Sequence, residues 1–380
     1  MPERPWCEPG TPLDRTAIVT GSGVLDDAGA LALFDRGGML AAIGELPDQI
    51  SEGWQRTRPL RLPERYGQAH VVAVVGMGGS AVAGDIVRGV FADRLSAPLV
   101  SVRDYELPAF VDRDCLVIGS SFSGSTEETV SALAAALQRR CPVIVVTSGG
   151  PLREVAERAE LPLLTFPGGG QPRAAVGYGV ALLAGILERV GMMPLADAEI
   201  SAARSAAASM VGACEPGIPT ERNPAKQLAW SLVDRLPVVE AAGFLAPVAR
   251  RWKTQLNENA KSGAVAEELP EATHNAVVGY AQPEALHERL YYIFLASPDD
   301  HPRNRLRAAL STELLASEQI GHQVVPLQGE GRLAQACAAI VLGDYVSAYL
   351  AILYGLDPTP VEAIAHIKER LSEADEEADD

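Results

Sequence analysis

The strongest constraint on how this chain can fold is a repeated alternation between residues 71 and 166, where short β-branched runs are each followed by a helical pattern. VVAVV (71–75), LVSV (99–102), CLVIGS (115–120), VIVVT (143–147) and LPLLTF (161–166) are continuously apolar, as expected of strands covered on both faces. Strands of that kind separated by helices predict a parallel sheet in an α/β layer fold. After an Ala-rich helical stretch over 180–233 the order returns with LPVVEAAG (236–243), LYYIFLAS (290–297) and HQVVPL (322–327). Matching runs are offset by roughly 165 to 180 residues, which suggests two α/β halves related by duplication rather than a repeat array.

Leu31, Leu33, Met39, Leu40, Ile43, Leu46 and Ile50 recur at mostly helical spacing and predict helices ahead of the first half. The expected organisation is therefore a lead-in over 1–55, a first unit over 56–195, a second over 196–368 and an acidic tail over 369–380. Residues 1–20 and SEADEEADD (372–380) carry too few periodic apolar residues to be pinned to a core and are expected to be mobile. The 380 residues, 47% of them hydrophobic, suffice for two cores.

Forty-nine acidic against 32 basic residues give a formal charge of −17, which repels nucleic-acid backbones and anionic lipid surfaces and argues against both as partners. The five cysteines are odd in number, scattered and without a CxxC pair, and the six histidines show no ligand spacing; the expectation is free core thiols and no metal site. The N-terminus has charges and prolines where a signal peptide would be apolar, and no run of about 20 apolar residues is expected anywhere, so the reading is a soluble cytoplasmic protein.

Four stretches carry chemistry. In VVAVVGMGGSAVAGD (71–85) a strand breaks into Gly76, Gly78, Gly79 and Ser80, with a helix expected from about Ser80. Such a turn aims unpaired N–H groups and the positive end of a helix dipole at one spot, which suits an anion. The same residues fit GxGxxG/A, and Asp104 lies about 20 residues on, so a dinucleotide site is a rival; a third possibility is a tight turn that needs glycine only for its backbone angles. SSFSGSTEET (120–129) decides for phosphate: Ser125 and Glu128 fit a capping box, while Ser121, Ser123 and Thr126 exceed what a helix start needs and suit the oxygens of a phosphate monoester. In FPGGGQPRAAVGYGV (166–180), Gln171 and Arg173 sit on a loop after a strand, where the arginine either clamps an oxyanion or is merely solvated. In RRWKTQLNENAKSGAVAEELPEATHNAVVGY (250–280), Glu258 lies among amides near a helix end, a position for a buried base with a raised pKa. His274 falls on a polar loop beyond Pro270.

Taken in order, these stretches resemble the sugar isomerase (SIS) fold, and specifically the bifunctional phosphoglucose/phosphomannose isomerase family of archaea and bacteria. NPAKQLAWSL, NENAKSG, THNAVVGY and GDYVSAYLAILYGLDPTPVEAIAHIK add to the likeness. The resemblance implies two three-layer αβα subdomains of flavodoxin-like type with mainly parallel sheets, and a hexose phosphate held by Gly78, Gly79, Ser80, Ser121, Ser123 and Thr126. It implies Glu258 as the base, Arg173 as the cation beside an enediolate, and His274 opening the sugar ring across a homodimer interface. Lys368 resembles an active-site lysine, and Thr359 is a candidate substrate contact linked to mannose 6-phosphate. Moving a proton between C2 and C1 of an aldose phosphate requires a base and a fixed cation but no metal or redox cofactor. The same loops could serve a non-catalytic sugar-phosphate sensor, and a nicotinamide-dependent oxidoreductase ranks last.

Overall fold

A computed structural model describes residues 23–379, with side chains through residue 374; the expectations for residues 1–20 and Cys7 lie outside the described residues. Three short helices come first, α1 (Ala28–Phe34), α2 (Met39–Gly44) and α3 (Leu46–Thr57). The carboxylate of Asp27 starts α1 by accepting from the backbone N–H groups of Gly29 and Ala30.

The first sheet is built from β1 (Val72–Val75), α4 (Gly78–Val90), β2 (Leu99–Val102), β3 (Leu116–Ser121), α5 (Glu127–Gln138), β4 (Val143–Thr147), α6 (Gly150–Arg158) and β5 (Leu163–Thr165). Helices α7 (Val176–Arg189), α8 (Asp197–Cys214) and α9 (Pro224–Ser231) lead to the second. That sheet comprises β6 (Leu236–Ala242), α10 (Ala246–Glu258), β7 (Val265–Leu269), β8 (Leu290–Ala296), α11 (Pro302–Ser317) and β9 (Gly321–Pro326), followed by α12 (Arg332–Leu353) and α13 (Glu362–Asp379).

Every strand pair is parallel. The strand orders are β2-β1-β3-β4-β5 and β7-β6-β8-β9, the same permutation with the last strand absent from the second sheet. This is the flavodoxin-like order and not the order of a dinucleotide-binding sheet, which speaks against the dinucleotide reading of the glycine turn. Chain reversal occurs between β1 and β3, and in such sheets ligands bind at the carboxyl ends beside that switch.

One strand, β7, was not anticipated. Its VAEEL alternates and carries two glutamates because it is an edge strand, with Val265 exposed and only Leu269 fully buried. Burial on both faces holds for β1, β3 and β4 but fails at the edges, where β9 buries only Val325.

The two sheets share one core. Val74, Ile118 and Ile144 of the first sheet and Val239, Ile293 and Leu295 of the second belong to a single cluster with Ile50, Trp54, Leu182, Trp252 and Tyr349. Trp54 Nε1 donates to Asp197 Oδ1 (2.7 Å) and Gln49 Nε2 to the Ala174 carbonyl (2.9 Å), which ties α3 to the middle of the chain.

The expectation that the chain has no run of about 20 apolar residues is corrected. Helix α12 is 22 residues long and apolar enough to span a membrane by length and composition, yet it is enclosed within the fold, where its hydrophobicity is satisfied by protein. The C-terminal segment continues α13 through Asp379, Ala and Glu being strong helix formers.

Candidate active site

Helix α4 starts at Gly78, two residues earlier than expected, because Gly78 adopts φ +49° directly after the extended Met77. A Cβ on Gly76 would stand 2.6 Å from the Ser120 carbonyl, and one on Gly79 would stand 3.3 Å from the Pro172 carbonyl. Glycine thus lets the turn after β1 lie flush against the segments after β3 and β5. In the turn after β3 the expected capping box does not form. Gly124, at φ +69° and pressed against Gly149, turns the chain so that Thr126 becomes the N-cap of α5. The Ser125 hydroxyl donates to Ser123 Oγ (3.1 Å), while Ser121 Oγ accepts from the Gly124 N–H (3.0 Å) and pairs with Thr126 Oγ1 (2.9 Å).

Neither α4 nor α5 has a side-chain cap, so both first turns present unbonded N–H groups at the β1/β3 switch. Ser80 and Thr126 are half-buried and Ser123 is exposed, leaving hydroxyls open to a ligand, whereas Ser121 is buried and supports the turn. Asp104, the acidic partner a dinucleotide site would require, is exposed and accepts from the Tyr105 N–H.

Arg173 is the hub. It is not solvated: its side chain is 3% exposed, on a short 3-10 turn after β5. Nε donates to Asn259 Oδ1 (2.6 Å), Nη1 to Gln171 Oε1 (3.0 Å), and Nη2 to the carbonyls of Pro358 (2.9 Å) and Thr359 (2.6 Å). These bonds use four of its five N–H groups. The remaining N–H is on Nη1, and Glu258 Oε2 lies 3.7 Å from that nitrogen. Burial lowers the Arg173 pKa from its ordinary value, with the Glu258 carboxylate opposing the shift. Glu258, expected to be a buried base, ends α10 with 27% of its side chain exposed, so it is reachable by a ligand.

Several residues that hold this hub were not singled out from the sequence. Asn259 Nδ2 donates to Ser347 Oγ (2.9 Å), and Arg251 Nη2 donates to the Arg173 carbonyl (2.7 Å) and to Asp344 Oδ2 (2.6 Å), all in the interior. Lys261 Nζ donates to the carbonyls of Asn259, Asp357 and Pro358, and its pKa is lowered to about 8 by burial and by the Arg173 charge. The available signal was Asp344, a charge inside an apolar 22-residue helix, which must find a partner to be tolerated.

Thr359 belongs to the turn held by Arg173 and Lys261. Its N–H bonds Asp357 Oδ1 (2.9 Å), and its Oγ1 is buried without a hydrogen-bond partner. His274 and Lys368 are not brought to the hub. Both are exposed, and neither makes a hydrogen bond or ion pair among the described residues. Glu258 ends the helix before β7 and His274 lies in the 3-10 turn after it.

Residues 221–371 match the bacterial phospho-glucose isomerase C-terminal SIS domain. The bifunctional phosphoglucose/phosphomannose isomerase of Caldicellulosiruptor bescii is 35% identical over 336 residues, covering 88% of this chain and 99% of that protein. The protein of the same description from Aquifex aeolicus is 35% identical over 305 residues, covering 79% of this chain and 90% of that one. Among solved structures, a Thermus thermophilus protein superposes with a TM-score of 0.73 over 94% of this chain and 96% of its own at 18% identity, a likeness of fold.

Proposed function

The chain belongs to the bifunctional phosphoglucose/phosphomannose isomerase family, and on that premise we propose that it interconverts glucose 6-phosphate, and mannose 6-phosphate as well, with fructose 6-phosphate through an enediolate. The observation that carries this reading is the pairing of Glu258 with the one unused N–H of Arg173, 3.7 Å apart, near two uncapped helix N-termini. The phosphate rests on the first turns of α4 and α5, with Gly78 and Gly79 admitting its oxygens and Ser80, Ser123 and Thr126 donating hydroxyls. Glu258 takes the C2 proton and returns it at C1. Charge developing on the sugar oxygens is met by the spare Arg173 N–H, whose position costs no reorganisation because the other four are bonded.

In this reading the working unit is a cytoplasmic homodimer in which His274 of a second copy opens the ring. Its support is the spacing of Glu258 and His274 about β7, together with an exposed Leu306, Leu310 and Leu314 stripe on α11. Arg307 of the same helix donates to Thr273 Oγ1, which places that stripe beside the His274 segment. Thr359, with an orphaned hydroxyl, is the proposed contact that admits the mannose epimer, and Lys368 a lysine that reaches the substrate when α13 folds toward the hub.

A coupled assay with glucose 6-phosphate and mannose 6-phosphate tests the reading. Glu258→Gln is expected to lower kcat by about 10²- to 10⁴-fold while KM changes little. Thermal stabilisation by either sugar phosphate without any turnover would instead make the chain a binding protein.

A further inference from the structure

A second constellation lies at the opposite end of the first sheet, before β1 and β3. The His70 N–H donates to the Asp114 carbonyl (3.2 Å) and the Cys115 N–H to the Asp112 carbonyl (3.0 Å), so the pairing of β1 with β3 sets His70 beside the 112–115 turn. Cys115 Sγ is 3.5 Å from His70 Nε2 and 3.5 Å from Asp112 Oδ1, and the latter two atoms are 4.0 Å apart. A tetrahedral zinc ion with ordinary bond lengths keeps neighbouring nitrogen, oxygen and sulfur ligands about 3.4–3.6 Å apart. Two edges of that tetrahedron are already present. The third closes by a small movement of His70, whose side chain is 54% exposed, toward Asp112 Oδ1, which the Asp114 N–H holds in place at 3.0 Å.

We propose that His70, Asp112 and Cys115 form a binding site for one divalent cation of the borderline-soft class, with zinc as its natural occupant, separate from the hexose phosphate site. One imidazole nitrogen, one carboxylate oxygen and one thiolate sulfur are a donor set that favours zinc over magnesium or calcium. The buried Cys115 anchors the ion and the two exposed ligands leave a path from solvent. Cys141 stands across from Cys115 in the β3–β4 register, two residues before the Val117–Val143 pair, and its Sγ donates to the Asp112 carbonyl (3.0 Å). It thereby fixes the turn that presents Asp112, a supporting role of the kind that orients metal ligands. Binding releases the Cys115 thiol proton. Residues 70, 112 and 115 share no sequence motif and meet only through strand pairing, so no ligand spacing marks them in the sequence.

The test is an anaerobic titration of the reduced, untagged protein with Co²⁺, followed by absorption. The wild type is expected to bind one equivalent with a thiolate-to-cobalt charge-transfer band that Zn²⁺ displaces. His70→Ala and Asp112→Asn, both at exposed positions, are expected to weaken binding by roughly tenfold or more, and Cys115→Ser to abolish the band. Cys7→Ser should leave it intact, and His70→Ala should leave isomerase turnover unchanged. Absence of the band in the wild type, or unaltered affinity in His70→Ala, would overturn the site and leave the three side chains as a hydrogen-bonded turn.

Discussion

Arg173 and Glu240 are both buried ionisable groups, and their surroundings separate their roles. Arg173 has a partner for every N–H but one, and that one faces Glu258. Glu240 lies in the middle of β6, fully buried, with the Tyr280 hydroxyl at 3.2 Å on one oxygen and none on the other. Burial raises its pKa from 4.5 to about 7, against the hydrogen bond from Tyr280 and with help from Glu267. Between those values the folded chain holds a proton that the unfolded chain has released. Stability therefore falls as pH rises from 4.5 to 7, by about 3 kcal/mol in total, and the loss is complete above 7. Glu240→Gln should remove that contribution: the difference in unfolding free energy between wild type and variant, measured by denaturant titration, shifts in the variant's favour from pH 4.5 to pH 8.

At the scale of elements, the turn between α12 and α13 is a strap over the hub. It is held by Arg173 and Lys261 through three carbonyls, and the Thr359 side chain lies flat on Gly37, between α1 and α2. A Cβ on Gly37 would stand 2.2 Å from Thr359 Oγ1, so there is no room for one. Gly37→Ala should push the strap away and impair sugar turnover by roughly tenfold with the global fold retained, as a displaced pocket wall misplaces the reacting groups. Pairing it with Thr359→Gly should recover part of the loss, a coupling that a double-mutant cycle in kcat/KM measures. Additive effects would mean that the two residues act independently. The glycines of the α4 turn serve a related purpose, allowing backbone to approach backbone where a side chain would separate the loops.

At the scale of the whole molecule, the proposed homodimer puts Glu258 of one chain and His274 of another into each site, with β7 between the two residues in a single chain. Mixing Glu258→Gln with His274→Ala, each inactive alone, tests this. A heterodimer of the two contains one site with both residues intact, so random reassociation should recover about a quarter of wild-type activity. No recovery after verified subunit exchange would place both residues in one subunit's site. If the exposed α11 stripe is the proposed dimer interface, Leu310→Asp should lower the mass read by light scattering to that of a monomer and abolish turnover with it.

The order of strands and helices, the pairing of two similar halves and the glycine- and hydroxyl-rich turns after β1 and β3 were legible in the amino-acid sequence. Each of these is a short-range property: a run of β-branched residues, a glycine that must take a left-handed angle, or hydroxyls crowded into ten residues declare themselves wherever the chain later goes. The edge strand β7 was obscured for the same reason, since its glutamates face solvent and mimic a loop. The hub could not be read this way. Arg173 is completed by Asn259, Pro358 and Thr359, which are 86, 185 and 186 residues distant, and its neighbour Arg251 by Asp344. Local patterning thus determined the layers and the glycine- and hydroxyl-rich turns proposed to hold phosphate. Only the closing of the two sheets onto one core decided which buried charges meet, because those contacts depend on burial and long-range packing that no segment carries by itself.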